Sequence, residues 1–296
     1  MKKKVLEELF YDESTFEKWL NETYSSNTNE YVIPYSRFDV NITKDIYSDL
    51  VFYSLMSKKQ EASSIIDDSL IIYLHGGAYV SQPSLAHWRF LNSIARDTGL
   101  NILLPLYPKI PFFDASYSIK TVIDFYRNIT SAPDCPDKII LMGDSSGGGF
   151  LLSMTMELEK QNLTLPSQLI MFSPWLDVSM TNNRIPEIEP FDSFLSPFVL
   201  KKLGNLWCNG LDNKDPLVSP LYGDLKFNGK ITIFSGTHDI LNPDSKAFYD
   251  RNKNNASINY VERQGLMHAY NILTAKGFKL EYDNIINLIT NDEGLL

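Results

Sequence analysis

An apolar run, Lys138-Ile139-Ile140-Leu141-Met142, passes straight into Gly143-Asp144-Ser145-Ser146-Gly147 and then into a stretch of helical character. No other part of the chain so narrows the folds open to it. A G-x-S-x-G pattern between a strand and a helix leaves the serine on a turn so tight that only small neighbours fit. The strain lifts its Oγ above the edge of the sheet. Glycines at either end let the strand and helix backbones approach closely. The pentapeptide also occurs by chance, so its weight comes from this setting and from the partners found elsewhere.

The rest of the chain keeps the strand–helix rhythm. Parallel strands are expected at about 70–75, 101–107, 138–143, 168–173, 231–236 and 258–262, separated by amphipathic helices. Arg37–Val40 and Leu50–Met56 read as antiparallel strands ahead of them. An apolar share of 44% over 296 residues suits one α/β domain with a substantial core. A net charge of −9 argues against nucleic acid or anionic membrane as a partner. Only Cys135 and Cys208 are present, so no disulfide framework is implied.

No stretch approaches the ~18 consecutive apolar residues of a membrane span. After Lys2-Lys3-Lys4 the segment Val5–Glu13 is charged and amphipathic, unlike a signal peptide, and a cytoplasmic location is the simplest expectation. Neither a Walker glycine-lysine loop, a dinucleotide fingerprint nor a His/Cys metal pattern occurs, so neither cofactor nor metal is expected.

A serine hydroxyl is a poor nucleophile near neutral pH; it needs a general base, an orienting acid and donors for the oxyanion. The donors are expected in His75-Gly76-Gly77-Ala78-Tyr79, at the carboxyl end of the buried strand Leu70–Leu74. The backbone N–H groups of Gly76, Gly77 and Ala78 are candidates there, completed by that of Ser146 after the nucleophile. By itself the glycine pair is equally a turn that closes a strand.

Four histidines compete for the role of base. His75 belongs to the glycine turn, where it would hold the loop. His87, beside Trp88, reads as a surface or packing residue, and His238 as a bystander next to Asp239. His268 lies in Gln264-Gly265-Leu266-Met267-His268, read as a loop before the last helix, and it gives the chain order Ser, acid, His. Asp239, at the end of the run Ile231–His238, is the favoured acid. Two rivals stay open: Asp244, which suits the first turn of a helix, and Asp177, after Pro174-Trp175.

Together these pieces resemble the hormone-sensitive-lipase-like branch of the α/β-hydrolases. The matching motifs are His75-Gly76-Gly77, Gly143-Asp144-Ser145-Ser146-Gly147-Gly148, Ser173-Pro174-Trp175-Leu176-Asp177, Asp215-Pro216-Leu217-Val218-Ser219-Pro220, Gly236-Thr237-His238-Asp239-Ile240-Leu241 and Met267-His268-Ala269-Tyr270. They run in family order from about position 70 to 270. The resemblance implies an α/β-hydrolase fold with a mostly parallel eight-stranded sheet. It also implies a Ser-His-Asp ester hydrolase, a carboxylesterase acting on short to medium acyl chains of small-molecule esters.

The resemblance further implies a helical cap within the single domain 1–296, formed by about 1–30 and 178–215. Positions 3–24 show a helical stripe of Leu6, Leu9, Phe10, Phe16, Trp19 and Leu20, and Thr181–Asp215 breaks the strand–helix rhythm. Tyr79 and Trp175, flanking the catalytic loops, are expected to line the substrate pocket; Phe191, Phe194, Phe198 and Trp207 are expected mostly to pack the cap. Two departures stand out: Ala78 replaces the usual third glycine, and Leu106-Tyr107-Pro108-Lys109-Ile110-Pro111 replaces the usual segment behind the oxyanion loop. Relatives are often dimers, which leaves a homodimer open. Rival readings are an amidase or peptidase using the same machinery, and a sensor that binds a small ligand without turnover.

Overall fold

The computed structural model describes residues 13–28, 31–34, 37–58, 69–254, 257–273 and 279–290. Its apolar runs pair into one sheet of eight strands: β1 (Val40–Tyr47), β2 (Leu50–Ser57), β3 (Ser69–Leu74), β4 (Asn101–Pro105), β5 (Lys138–Asp144), β6 (Gln168–Phe172), β7 (Lys230–His238) and β8 (Ser257–Met267). Their spatial order is β1-β2-β4-β3-β5-β6-β7-β8. The β1–β2 and β2–β4 pairs are antiparallel and all the others are parallel. Nine α-helices are described: α1 (Glu13–Thr28), α2 (Leu85–Thr98), α3 (Ala115–Thr130), α4 (Ser145–Lys160), α5 (Ile185–Ile188), α6 (Pro197–Cys208), α7 (Asn242–Asn252), α8 (Tyr270–Leu273) and α9 (Lys279–Thr290). None of them is long and apolar enough to cross a membrane.

The continuous apolar character of the central strands follows from burial on both faces. Leu70, Ile72 and Leu74 of β3 join one core with residues of α3, α4, α6 and α7. Ile71 and Tyr73, pointing the other way, join a second core with Trp88, Leu91 and Ile94 of α2 and Ile285 and Leu288 of α9. The result is the expected α/β architecture with helices on both faces.

Two strand boundaries differ from the sequence reading. The first strand starts at Val40, where it was expected to end, and runs on through Asn-Ile-Thr-Lys-Asp-Ile-Tyr. As an edge strand it leaves most of those side chains half or fully exposed, so its polar composition hides it. The segment Gln264–Met267, expected as a loop, continues β8 to Met267. A register shift between Gly236 and His238 realigns the pair so that His238 opposes Met267. Of the N-terminal stripe, Phe16 and Leu20 are buried and Trp19 packs partly against them; Leu6, Leu9 and Phe10 lie outside the described residues.

Between β6 and β7 the chain makes its longest excursion, carrying α5 and α6. Ser196 caps α6 and Pro197 starts it, the usual chemistry of a helix N-terminus. This insertion touches the carboxyl end of the sheet at several points: Trp207 stacks on Tyr79, Phe191 stacks on His238, and Asn182 donates to Asp244. It also meets α1, where Lys202 Nζ lies 2.6 Å from Glu13 Oε2 and 4.7 Å from the centre of the Phe16 ring.

No residue separates β5 from α4, so the helix begins hard against its neighbours. A Cβ on Gly147 would sit 1.9 Å from the Leu74 carbonyl oxygen, and one on Gly149 would sit 2.0 Å from that of Trp175. Both contacts are with backbone, which cannot swing aside. Gly147→Ala is therefore expected to cost about 3 kcal/mol or more in unfolding free energy. Gly99→Ala, whose Cβ meets no atom within 4 Å but whose φ is +84°, should cost about 1 kcal/mol. Urea unfolding followed by tryptophan fluorescence compares the two; equal losses would remove close packing as the reason for Gly147.

Candidate active site

Parallel strands put their carboxyl ends on one edge, and the candidate residues meet there. Ser145 follows β5 directly, Asp239 follows β7 and His268 follows β8. Ser145 has a φ of +52°, the strained left-handed geometry expected of a serine pushed up from a tight turn. His268 Nδ1 lies 2.9 Å from Asp239 Oδ2, and both side chains are buried. Donation from Nδ1–H to the carboxylate leaves the Nε2 lone pair for another partner. Asp239 Oδ1 accepts the Leu241 N–H at 2.9 Å, which fixes the carboxylate plane. The Ala269 N–H donates to Ser173 Oγ at 3.0 Å, and the Trp175 N–H to the Ser145 carbonyl at 2.9 Å. Those two bonds tie the His268 turn and the serine turn to the end of β6.

Burial alone would lower the His268 pKa. The Asp239 carboxylate, through its charge and hydrogen bond, outweighs that, with Asp192 and Asp144 adding to it, and holds the imidazole above its ordinary 6.5. The rival acids are occupied elsewhere. Asp177 accepts from the Ser179 N–H and the Tyr222 hydroxyl. Asp244 accepts from Asn182, and burial pushes its pKa up to about 7.

The His75–Tyr79 loop bends through positive φ at Gly77, Ala78 and Tyr79. One expected donor drops out: the Gly76 N–H is bonded to Asp144 Oδ1 at 2.8 Å. Those of Gly77 and Ala78 have no acceptor among the described residues. Ser146 holds the loop from below by accepting the Tyr79 N–H on its Oγ, and its own N–H lies in the first turn of α4, where a helix has no acceptor for it. Gly77, Ala78 and Ser146 thus form the donor set that the geometry leaves free.

Asp144 does more than fill a small position in the pentapeptide. Fully buried, it accepts from the Tyr73 hydroxyl at 2.8 Å, the Gly76 N–H at 2.8 Å and His87 Nε2 at 3.2 Å. Burial would raise its pKa; the His87 ring, Tyr73 and Gly76 more than offset that and hold it below the usual carboxylate value. His87 is therefore no surface residue. Its Nδ1 accepts the Ser84 N–H at 3.0 Å in a capping box, which leaves Nε2–H to donate to Asp144. The spacing Ser84-x-x-His87 was the available signal.

The segment 106–111 buttresses the loop despite its unusual sequence. The Tyr107 hydroxyl donates to the His75 carbonyl at 2.8 Å, and the two rings stack 4.8 Å apart. Lys109 Nζ donates to the Tyr107 carbonyl and to Gln82 Oε1, and burial lowers its pKa to about 7. His75 Nδ1 donates to the Gly76 carbonyl at 2.7 Å, the loop-holding role expected of it.

Tyr79 and Trp175 do not line open space. Tyr79 is sandwiched between Trp175 at 5.5 Å and Trp207 at 3.9 Å, and all three rings are buried. They form one buried stack that joins the His75–Tyr79 loop to the insertion. The insertion instead exposes Phe191 (61%) and Phe194 (47%), which were expected to pack inside it. Among the described residues no group of His, Cys, Asp and Glu is placed to hold a metal ion.

Comparison with known proteins accords with this fold. A family model described as alpha/beta hydrolase fold matches residues 71–272. An esterase of Acinetobacter venetianus is 29% identical over 183 residues, covering 62% of this chain and 60% of that protein. A triacylglycerol lipase of Mycobacterium tuberculosis is 26% identical over 189 residues, covering 64% of this chain and 39% of that one. The chain thus spans less than two thirds of either relative. A solved structure from Staphylococcus aureus superposes with a TM-score of 0.86 at 25% identity, covering 96% of this chain and 95% of that one. The chain belongs to the α/β-hydrolase family, with the motifs of its hormone-sensitive-lipase-like branch.

Proposed function

We propose that the protein is a carboxylesterase that cleaves small-molecule esters of short to medium acyl chains through an acyl-enzyme. Ser145 is the nucleophile, His268 the general base and Asp239 the orienting acid. The observation that carries this reading is the buried 2.9 Å bond from His268 to Asp239 at the same sheet edge as the strained Ser145 turn. The names of the relatives, an esterase and a triacylglycerol lipase, support the class of bond cleaved.

In this mechanism His268 Nε2 takes the Ser145 proton as Oγ bonds to the ester carbonyl carbon. The N–H groups of Gly77, Ala78 and Ser146 receive the charge that moves onto the carbonyl oxygen, each contributing on the order of 3 kcal/mol. The imidazolium returns its proton to the leaving alkoxide as the C–O bond breaks. Water then attacks the acyl-enzyme by the same route and frees the acid. Asp239 keeps the ring in the correct tautomer and stabilises the imidazolium. The insertion and α1 act as the cap over the acyl site.

Turnover of p-nitrophenyl esters from acetate to dodecanoate tests the reading. Short chains should be hydrolysed, and Ser145→Ala should lower kcat by a factor of about 10⁶. A folded protein that turns over none of them would overturn it.

Asp239→Asn should cost about 10⁴ in kcat and Asp177→Asn far less; the reverse order would move the acid to Asp177.

Because His268 must be neutral to accept a proton and its pKa is raised, kcat/KM should rise with pH through a midpoint above 6.5. The residual activity of Asp239→Asn should show a lower midpoint.

A further inference from the structure

The insertion sends one carboxylate into the catalytic edge, and the mechanism above makes no use of it. Asp192 follows α5 and is only 3% exposed. Its Oδ1 accepts the N–H groups of Phe194 and Leu195, each at 2.8 Å, which closes the turn leading into α6. Its Oδ2 reaches out of the insertion and accepts the Ile240 N–H at 2.9 Å. Ile240 is the residue after Asp239. The two N–H groups that come after the acid therefore divide between two carboxylates: Ile240 donates to Asp192, and Leu241 donates to Asp239 itself.

This arrangement has an electrostatic cost that packing alone does not require. Two buried carboxylates lie close enough for the charge of Asp239 to act against that of Asp192. Burial and the Asp239 charge raise the Asp192 pKa, while the Leu195, Ile240 and Phe194 N–H groups oppose that rise. The group that gains from both charges is His268, on which Asp239 acts from the end of β7, Asp192 from the insertion and Asp144 from the end of β5. The nearby His238 stacks on Phe191 beside this turn.

We propose that Asp192 is a positioning residue of the catalytic centre: it pins the backbone that carries Asp239 to the insertion and places a second buried negative charge behind the Asp239–His268 pair. As the imidazolium forms, the field of Asp192 is already in place and needs no reorganisation. The insertion thus supplies part of the strength of the base as well as covering the site. The role in turnover rests on the assignment of His268 as base; the field at His268 does not.

The test pairs kinetics with a direct titration of His268 by NMR of ¹³Cε1-labelled histidine, the resonance being assigned by its loss in His268→Gln. Asp192→Asn removes the charge with little change of shape. Asp192→Ser removes it too but keeps an oxygen acceptor for the Phe194 and Leu195 N–H groups, and it serves if the first variant does not fold. Either variant should move the His268 titration to lower pH and lower kcat by about tenfold to a hundredfold, with KM changed less than kcat. Asp192→Glu, which restores the charge, should return the titration toward the wild-type midpoint. A folded charge-removing variant whose His268 titration matches wild type overturns the proposal, because closing a turn alone would leave that titration in place. If the wild type hydrolyses no ester yet Asp192→Asn still shifts the titration, the esterase reading fails and the placement of the charge stands.

Discussion

One buried carboxylate holds the Ser145 turn to the loop that faces it. Asp144 reaches Tyr73 on β3, Gly76 in the glycine loop and His87 in the first turn of α2, while its own backbone leads into Ser145. An ionised carboxylate without partners would be expelled from such a place or neutralised. Here the three donors come from three different elements, so the charge is stable only when those elements are correctly placed around it. Removing the carboxylate would leave a tyrosine hydroxyl, a histidine N–H and a backbone N–H buried together without an acceptor. The bond from Gly76 also orients the next residues of the loop: with that N–H fixed inward, the chain turns through positive φ, and the N–H groups of Gly77 and Ala78 are left with no acceptor among the described residues.

Backbone strain gathers at this same edge. Ala78, Tyr79, Ser145 and Ser173 all have positive φ, at roughly 1–2 kcal/mol each for residues with a Cβ. Such strain persists only where surrounding contacts over-determine it. The contacts are identifiable: the Trp175–Tyr79–Trp207 stack beneath the loop, Tyr107 bonded to the His75 carbonyl, and α4 packed against the Leu74 carbonyl with no room for a side chain. Ala78 is instructive because a glycine would adopt its φ at no steric cost. Alanine has the same N–H, but its methyl strains the loop conformation, so Tyr107 and Lys109 behind the loop matter more here than a third glycine would require.

Features set by local pattern or by chain order were legible in the sequence. Both-face burial makes β3 to β7 read as apolar runs, and a strand entering a helix through Gly-Asp-Ser-Ser-Gly has few other geometries. His268 and Asp239 could be paired because strand ends of a parallel sheet converge. What escaped depends on neighbours distant in sequence. Strand β1 is polar because it lies at the edge, and β8 runs into an apparent loop because a register shift at Gly236 realigns it. His87 looked peripheral because its partner, Asp144, lies 57 residues away. Tyr79 and Trp175 flank the loops in sequence, but Trp207, from the insertion, turns them into a buried stack.

The insertion is therefore bound to the carboxyl edge of the sheet in two chemically different ways. Trp207 on Tyr79 is an apolar contact: it supports the His75–Tyr79 loop through dispersion and area and is indifferent to the charge state of the site. Asp192 on the Ile240 N–H is a charged contact: the Asp239 charge acts on this carboxylate, and the carboxylate in turn acts on His268. A displacement of the insertion that kept the first contact and broke the second would leave the loop in place yet weaken the field on the imidazole. Conversely, an imidazolium formed at His268 attracts the Asp192 carboxylate and so strengthens the contact of the insertion with the turn after β7. By linkage the two statements are one: whatever the insertion adds to the proton affinity of His268, protonation of His268 adds to the hold of the insertion on the sheet.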